Sequence, residues 1–480
     1  MNRMQKIFSL TISFKLSCLG MGYYDDMRHD DLNYEYLYGS TYPLMKNAGS
    51  SVAKVIEKNF ASGQKVCVVC GTGNNAGDAI VAAELLRTKF EVTVLLVNGL
   101  KSELAKKALQ EYGGNVVDAS HIDECLAADI IIDGIFGVGI SGEPKEPYKS
   151  TIEKINASGK KIVSVDVPSG LGTNCAVRPD ITVTFTSLKY GMNKENSGEI
   201  IVADIGIPDD VRKYAGPGDL IYYPRPDPDS HKGMNGTLGI VAGWEYHGSS
   251  VIAALAAENL GLDLVRIYVT NKNYEIVSSY DPGIIVRLFD YKRQASYEEV
   301  WRNSALLIGP GLGTSHEAEI ALKRLVNGSA VPIVIDADGI TLLSKHLSII
   351  KGKKIVVTPH KNEFRKLTGT EPNEENAVEF AKEKGIIIVL KGKVDIITDG
   401  KEVHYAKGGN ARMTMGGTGD LLAGLISSFI SKGIDPMRSC LMGTYLNKRI
   451  GELAYDKKGL FYKITDMIDE IPSVMASYVR

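Results

Sequence analysis

The stretch Met413-Thr-Met-Gly-Gly-Thr-Gly-Asp-Leu-Leu-Ala-Gly424 carries the strongest chemical signal in this chain of 480 residues. It sets one carboxylate, Asp420, behind a glycine-rich turn and ahead of the apolar residues Leu421, Leu422, Leu425 and Ile426. Such a turn aims backbone N–H groups and the positive end of a helix dipole at one point, which favours an anion. An acid beside bound phosphate can accept the proton of a hydroxyl as that oxygen attacks phosphorus. The same pattern also occurs where a loop merely caps a helix, so the remaining loops must decide.

Three more loops of the second half follow apolar runs: Gly309-Pro-Gly-Leu-Gly313, Thr358-Pro-His-Lys-Asn-Glu363 and Lys391-Gly-Lys-Val-Asp395. The first half has its own set. Cys70-Gly-Thr-Gly-Asn-Asn-Ala-Gly-Asp78 joins a strand to a helix, and its paired asparagines would be costly to bury without partners. Asp133-Gly-Ile-Phe-Gly-Val-Gly-Ile-Ser-Gly142 and Val165-Asp-Val-Pro-Ser-Gly-Leu171 each place an acid at a strand end. Together these three ends can hold a hard cation and a polyhydroxyl ligand.

Strand and helix patterns alternate throughout, which predicts α/β architecture with mainly parallel sheets and ligands beyond the carboxyl ends of the strands. Strands are expected at 65–70, 92–97, 130–133, 161–167 and 181–184. After the proline-rich 221–229 they resume at 237–242, 264–270, 305–308, 331–336, 355–358 and 386–391. Helices are expected at 78–89, 102–112 and 148–156 in the first half. The prolines mark the boundary, giving one domain at 21–222 and a second, different α/β domain at 223–480. Residues 1–20 combine basic residues with a short apolar run broken by Lys15; a disordered leader, or a start at Met21 or Met27, is expected.

Composition narrows the function. Hydrophobic residues make up 44%, charged residues 23%, and the formal net charge is −2, with no dense Lys/Arg block. Nucleic-acid and membrane partners are therefore not expected. Cys18, Cys67, Cys70, Cys125, Cys175 and Cys440 are scattered, and Cys67/Cys70 fall within an apolar strand rather than at a helix start. Free thiols in a reducing cytoplasm are the expectation.

The first-half motifs, with Leu44-Met-Lys-Asn-Ala-Gly49 upstream, resemble the NAD(P)HX epimerase family of YjeF N-terminal type over residues 27–224. That family is similar to Rossmann proteins, a three-layer sandwich, and interconverts the two epimers of hydrated NAD(P)H. The resemblance implies a potassium ion on Asn75, Asp133 and Ser169. It implies that Asn74, Asn75, Ala76, Gly77 and Asp78, with Gly137, Val138, Gly139, Ile140, Ser141, Gly142 and Glu143, hold the hydrated nucleotide. Asp166 would contact the substrate as acid or base. Lys189 is a weaker candidate, read more simply as a solvated surface lysine. Ala76 and Ala79 replace glycines of the family's NNGGDG, placing methyl groups where backbone would approach phosphate.

From His231 to the C-terminus, HKGMNG, GPGLG, TPHKNE, LKG and MGGTGD stand in the order seen in ADP/ATP-dependent NAD(P)HX dehydratases, a ribokinase-like branch. That resemblance implies a pocket for hydrated nicotinamide at Ser249, Gly313 and His360. Lys391, Gly392, Lys393, Val394, Asp395 and Gly419 would take the nucleotide, and Asp420 would be the base. Mg²⁺ would bridge the donor's phosphates, with Asp336 and Glu363 as candidates for its shell. His247-Gly-Ser-Ser250 and Gly261-Leu-Asp-Leu264 depart from the usual pattern. The implied whole is a cytoplasmic, homo-oligomeric repair enzyme acting on NADHX, NADPHX and ADP or ATP. The alternative is a small-molecule kinase of the same superfamily carrying a non-catalytic nucleotide-binding domain.

Overall fold

The computed structural model describes residues 27–139 and 142–479; the leader expected at 1–20, with Ile140 and Ser141, lies outside the described residues. The chain divides into two compact units, Met1–Pro208 and Asp209–Arg480. The division precedes the proline-rich stretch because Pro217–Tyr222 winds into a short 3-10 helix that buries Leu220 within the second unit.

The first unit is built on seven parallel strands: β1 (Lys65–Cys70), β2 (Glu91–Leu96), β3 (Asn115–Asp118), β4 (Ile130–Gly134), β5 (Lys161–Val165), β6 (Ile181–Phe185) and β7 (Glu199–Ala203). Their order is β3-β2-β1-β4-β5-β6-β7, so the chain reverses direction across the sheet between β1 and β4. Side chains of β1 alternate between two cores: Val66, Val68 and Cys70 face helices Tyr42–Asn59 and Asn74–Leu86, while Cys67 and Val69 face the other layer. This is the three-layer sandwich expected. The helix after β1 starts at Asn74, four residues ahead of the expected 78, so both asparagines lie in its first turn.

That alternation also corrects the cysteine reading. A spacing of three on a strand sends Cys67 and Cys70 to opposite faces, but Cys67 shares its face with Cys125, and these two form a disulfide. Cys70, Cys175 and Cys440 are free.

The second unit carries nine strands: β8 (Thr237–Val241), β9 (Leu264–Val269), β10 (Ile285–Leu288), β11 (Ala305–Ile308), β12 (Ile333–Ile335), β13 (Ile355–Val357), β14 (Ile387–Leu390), β15 (Asp395–Thr398) and β16 (Val403–Ala406). The order β10-β9-β8-β11-β12-β13-β14-β15-β16 is parallel up to β14 and antiparallel beyond. Helix Thr418–Ser431 is buried along nearly its whole length. It lies so close to helix His247–Asn259 that a Cβ on Gly424 would meet the Ala253 carbonyl oxygen at 2.7 Å.

Candidate functional site

Each unit presents its unusual loops at the carboxyl edge of its sheet. In the first, a cavity of about 610 Å³ opens beyond the carboxyl ends of the paired strands β1 and β4 and is lined by Asn74, Asn75, Asp78, Gly137, Val138, Gly139 and Asp166 among others. Helix Asn74–Leu86 has no side-chain cap, so its first amides remain available. Asn75 is 7% exposed, and neither polar atom of its amide has a hydrogen-bond partner. Asp133 is fully buried: its Oδ2 accepts from Ser164 Oγ at 2.8 Å and Ser169 N at 2.9 Å, and its Oδ1 from Ser169 Oγ at 2.5 Å. Burial pushes the Asp133 carboxyl up, against these bonds.

Asp166 sits just past β5 with φ of 63°, a conformation a non-glycine residue rarely adopts. Its Oδ1 lies 2.9 Å from Lys189 Nζ, and that lysine, 2% exposed, also donates to the carbonyls of Phe185 and Ser187. Lys189 is therefore not a surface lysine; backbone turning after β6 tucks it under the cavity. Asp31, on the helical stretch 27–38, lines the same cavity and was not singled out from sequence. The Asp31 side chain is itself exposed at the cavity's rim; the protein packed around the rim, and then the carboxyls of Asp30, Asp166 and Glu35, push its carboxyl up to about 6, while Lys189 opposes this. Burial likewise holds the Asp78 carboxyl well above its usual range, with Asp166 and Asp31 contributing.

Other expected residues lie elsewhere. Ala76 and Ala79 are fully buried in the core, so their methyls pack against the sheet and do not face the cavity. Gly77 packs against Met45. Gly142 and Glu143 do not line the cavity; Glu143 Oε1 is taken by the backbone and side-chain amides of Asn174.

In the second unit the ends of parallel strands β11 to β14 gather the motif loops. Asp336, just after β12, accepts from Thr358 Oγ1 and from Lys391 Nζ, each at 2.8 Å. Lys391 also stands 3.8 Å from Glu363. Burial pulls the Lys391 ammonium down, but Asp336, Glu363 and Asp420 more than offset it and leave it above its usual value. Gly419 is small for a reason: a Cβ there would stand 3.2 Å from Lys391 Nζ.

Asp420, in the first turn of helix Thr418–Ser431, is half-buried and faces this cluster. Burial and then Asp336 push its carboxyl up to about 6, while a hydrogen bond from Ser249 and the charge of Lys391 hold it down. The turn before it needs glycine at 417, where φ is 97° and a Cβ would meet Ile252 at 2.8 Å.

Two cavities are lined by residues of these loops. One of about 680 Å³ is lined by His360, Lys391, Gly392, Lys393, Asp395 and Gly419, and also by Asn447 and Lys448. Another of about 520 Å³, at the reversal between β8 and β11, is lined by Trp244, Tyr246, Gly313 and Asp338. Asp420 lines neither. His360 and Gly313, expected in one pocket, fall in different cavities because β13 lies two strands from β11. The His360 Nδ1 accepts from the amides of Asn362 and Glu363, capping helix Lys361–Thr368. Val394 is exposed, and Asp395 is buried against Lys448 at 3.1 Å, bracing the loop. Lys448 and Asn447, whose buried Oδ1 has no partner, were missed; the signal was a lysine within an otherwise buried helix run.

An acid-rich cleft on a Rossmann-like sheet and an aspartate at the amide-rich mouth of a ribokinase-like helix define a two-unit α/β enzyme of nucleotide chemistry. Residues 238–473 match the family model described as NAD(P)H-hydrate dehydratase, and residues 41–191 match the YjeF-related protein N-terminus. A bifunctional NAD(P)H-hydrate repair enzyme from Archaeoglobus fulgidus is 36% identical over 94% of this chain and 97% of its own. Its counterpart in Methanothermobacter thermautotrophicus is 35% identical over 94% of each chain. A ribokinase-like superfamily protein from Enterococcus faecalis, solved by crystallography, is 26% identical, covers 56% of this chain and 96% of its own, and superposes with a TM-score of 0.52. The chain belongs to the family of bifunctional NAD(P)H-hydrate repair enzymes. It joins an NAD(P)H-hydrate epimerase half to a nucleotide-dependent dehydratase half.

Proposed function

We propose that Asp420 is the base of the dehydratase half, taking the proton of the substrate's ring hydroxyl as that oxygen attacks the terminal phosphate of ADP or ATP. Water is a poor leaving group at neutral pH, whereas the phosphate ester formed leaves readily and elimination restores the ring double bond. The observation that carries this reading is the position of Asp420: half-buried at a helix mouth, hydrogen-bonded by Ser249, with its carboxyl raised to about 6. A base so placed is ionised at neutral pH and still basic enough to accept a proton.

Lys391, Gly392 and Lys393 would hold the donor's phosphates in the cavity they line, while the amide-rich turn before Asp420 stabilises charge on the transferred group. Gly313 would face the hydrated nicotinamide in the neighbouring cavity. Among the described residues no group of three or more His, Cys, Asp or Glu is placed so as to hold a metal ion by itself, and Lys391 already engages Asp336 and Glu363. Mg²⁺ would enter as a companion of the donor's phosphates, supplying charge that offsets theirs.

In the epimerase half, Asp166 would act at the reacting carbon, with Asn74, Asp78 and the Gly137–Gly139 loop around the nucleotide. Asn75, Asp133 and Ser169 offer the oxygen donors that suit potassium, and the unpartnered buried amide of Asn75 supports that assignment. The ion would supply positive charge that fixes the loop ends. We place the enzyme in the cytoplasm with its nucleotide substrates; no described helix is long and apolar enough to cross a membrane. The exposed pair Leu460 and Phe461 supports a homo-oligomer.

The test is direct. Purified protein is incubated with hydrated NADH and either nucleotide, and the returning absorbance of the reduced ring is followed. Recovery undiminished in Asp420→Asn would refute the assignment of the base.

A further inference from the structure

We propose that Asp31 is the second acid–base group of the epimerase half, working with Asp166 on the carbon that bears the hydroxyl. The inference rests on the epimerase reading of that unit. Asp31 comes from the helical stretch 27–38, ahead of the matched family segment 41–191, and lines the same cavity as Asp166 and Asp78. The two carboxyls thus reach one space from separate elements, one from the helix before the sheet and one from the end of β5. Their surroundings differ. Asp166 has the ammonium of Lys189 at 2.9 Å. Asp31 stands where the cavity wall desolvates it in part and the carboxyls of Asp30, Asp166 and Glu35 surround it, with only partial relief from Lys189, so its protonated form persists at higher pH than for an ordinary aspartate. Two carboxyls that line one cavity, one crowded by other acids and one held against a lysine, suit one donor and one acceptor.

The substrate's chemistry needs that pair. Adding water to the enamine of a reduced nicotinamide puts the hydroxyl on a carbon bonded to the ring nitrogen. Inverting that carbon breaks and remakes its C–O bond. The protonated Asp31 gives its proton to the hydroxyl oxygen, the C–O bond breaks, water departs, and the nitrogen lone pair closes a C=N bond. Water then adds to the other face, the electron pair returns to nitrogen, and the surplus proton passes to the Asp166 carboxylate. One proton is given and one taken, and the reverse turnover exchanges the two roles.

The test uses the full chain. Conversion of the epimer that the dehydratase half does not consume is measured for wild type, Asp31→Asn and Asp31→Glu against the spontaneous rate, with dehydration of the other epimer measured on the same samples. A wild type no faster than the background removes the epimerase reading itself. With wild-type conversion established, Asp31→Asn is expected to lower kcat for epimerisation by about 100-fold or more, with KM changed less than about threefold and dehydration unchanged. The wild-type rate should fall as pH rises through about 6, where the Asp31 proton is lost, and Asp31→Asn should lack that limb. Asp31→Glu should recover about tenfold or more of the loss, because a carboxyl is restored. Asparagine matches aspartate in size, so a purely packing role would survive it. Epimerisation within about threefold of wild type in Asp31→Asn, a loss confined to KM, or no recovery in Asp31→Glu overturns the proposal.

Discussion

The proposed base of the second unit is a carboxyl under opposing influences. Asp420 is pushed up by burial and by Asp336 and held down by Ser249 and Lys391, settling at about 6. In the proposed role of base it would work ionised, so dehydration should rise as pH climbs through about 6. Ser249→Ala removes a hydrogen bond to the charged form and should move that limb upward by about one pH unit. Asp420→Asn should lower kcat by roughly 10²–10⁴-fold. The same substitution has an opposite effect on stability. The folded carboxyl binds its proton more tightly than the free side chain, about 6 against 3.8, so the stability it contributes is complete below 3.8 and lost as pH rises to about 6. Asp420→Asn should therefore melt at a higher temperature than wild type at neutral pH, and the gap should close in acid. Thermal melts across pH check this, and a lower neutral melting point would contradict it.

Among elements, the pairing of helices His247–Asn259 and Thr418–Ser431 matters most, since one brings Ser249 and the other Asp420. Gly424 lets them touch, and a methyl there would press into the backbone of Ala253. Gly424→Ala should cost about 1–3 kcal/mol and weaken dehydration as well, because parting the helices draws Ser249 from Asp420. Denaturant melts and turnover on the same sample report both. In the first unit the Cys67–Cys125 bridge closes a loop with sequence separation 58, tying β1 to the other side of the sheet. Chain-entropy reasoning makes it worth up to about 4 kcal/mol. Reductant, or Cys125→Ser, should lower the first unit's melting temperature and leave dehydration intact.

At the scale of the whole molecule, two sheets with different strand orders carry two chemistries on one chain. Their sites share no residue, so their losses should separate. Asp166→Asn should reduce consumption of the second epimer to its spontaneous rate while dehydration of the first continues. Asp420→Asn should stop nucleotide-dependent recovery while the epimers still interconvert. Measuring both reactions on both variants checks this, and cross-loss in either would argue against separate sites.

The sequence by itself determined the α/β class and marked the glycine-rich and acidic loops at the strand ends. Buried parallel strands read as apolar runs, and glycine-rich turns at their ends stand out locally. It did not disclose β3, β7, β10, β15 and β16, all of which have half-exposed or exposed positions that weaken the apolar signal. It set the boundary at the proline-rich stretch, whereas the compact units divide after Pro208, because the 3-10 turn Pro217–Tyr222 packs within the second unit. Only the tertiary structure decided which charges meet. It brought Asp31 into the cavity of Asp166, tucked Lys189 beneath it, paired Lys448 with Asp395 and separated His360 from Gly313. It also joined Cys67 to Cys125. The reason is one of range: periodicity and turn chemistry are written over a few neighbouring residues, whereas the field at a carboxyl comes from groups that are distant in the chain and close in space.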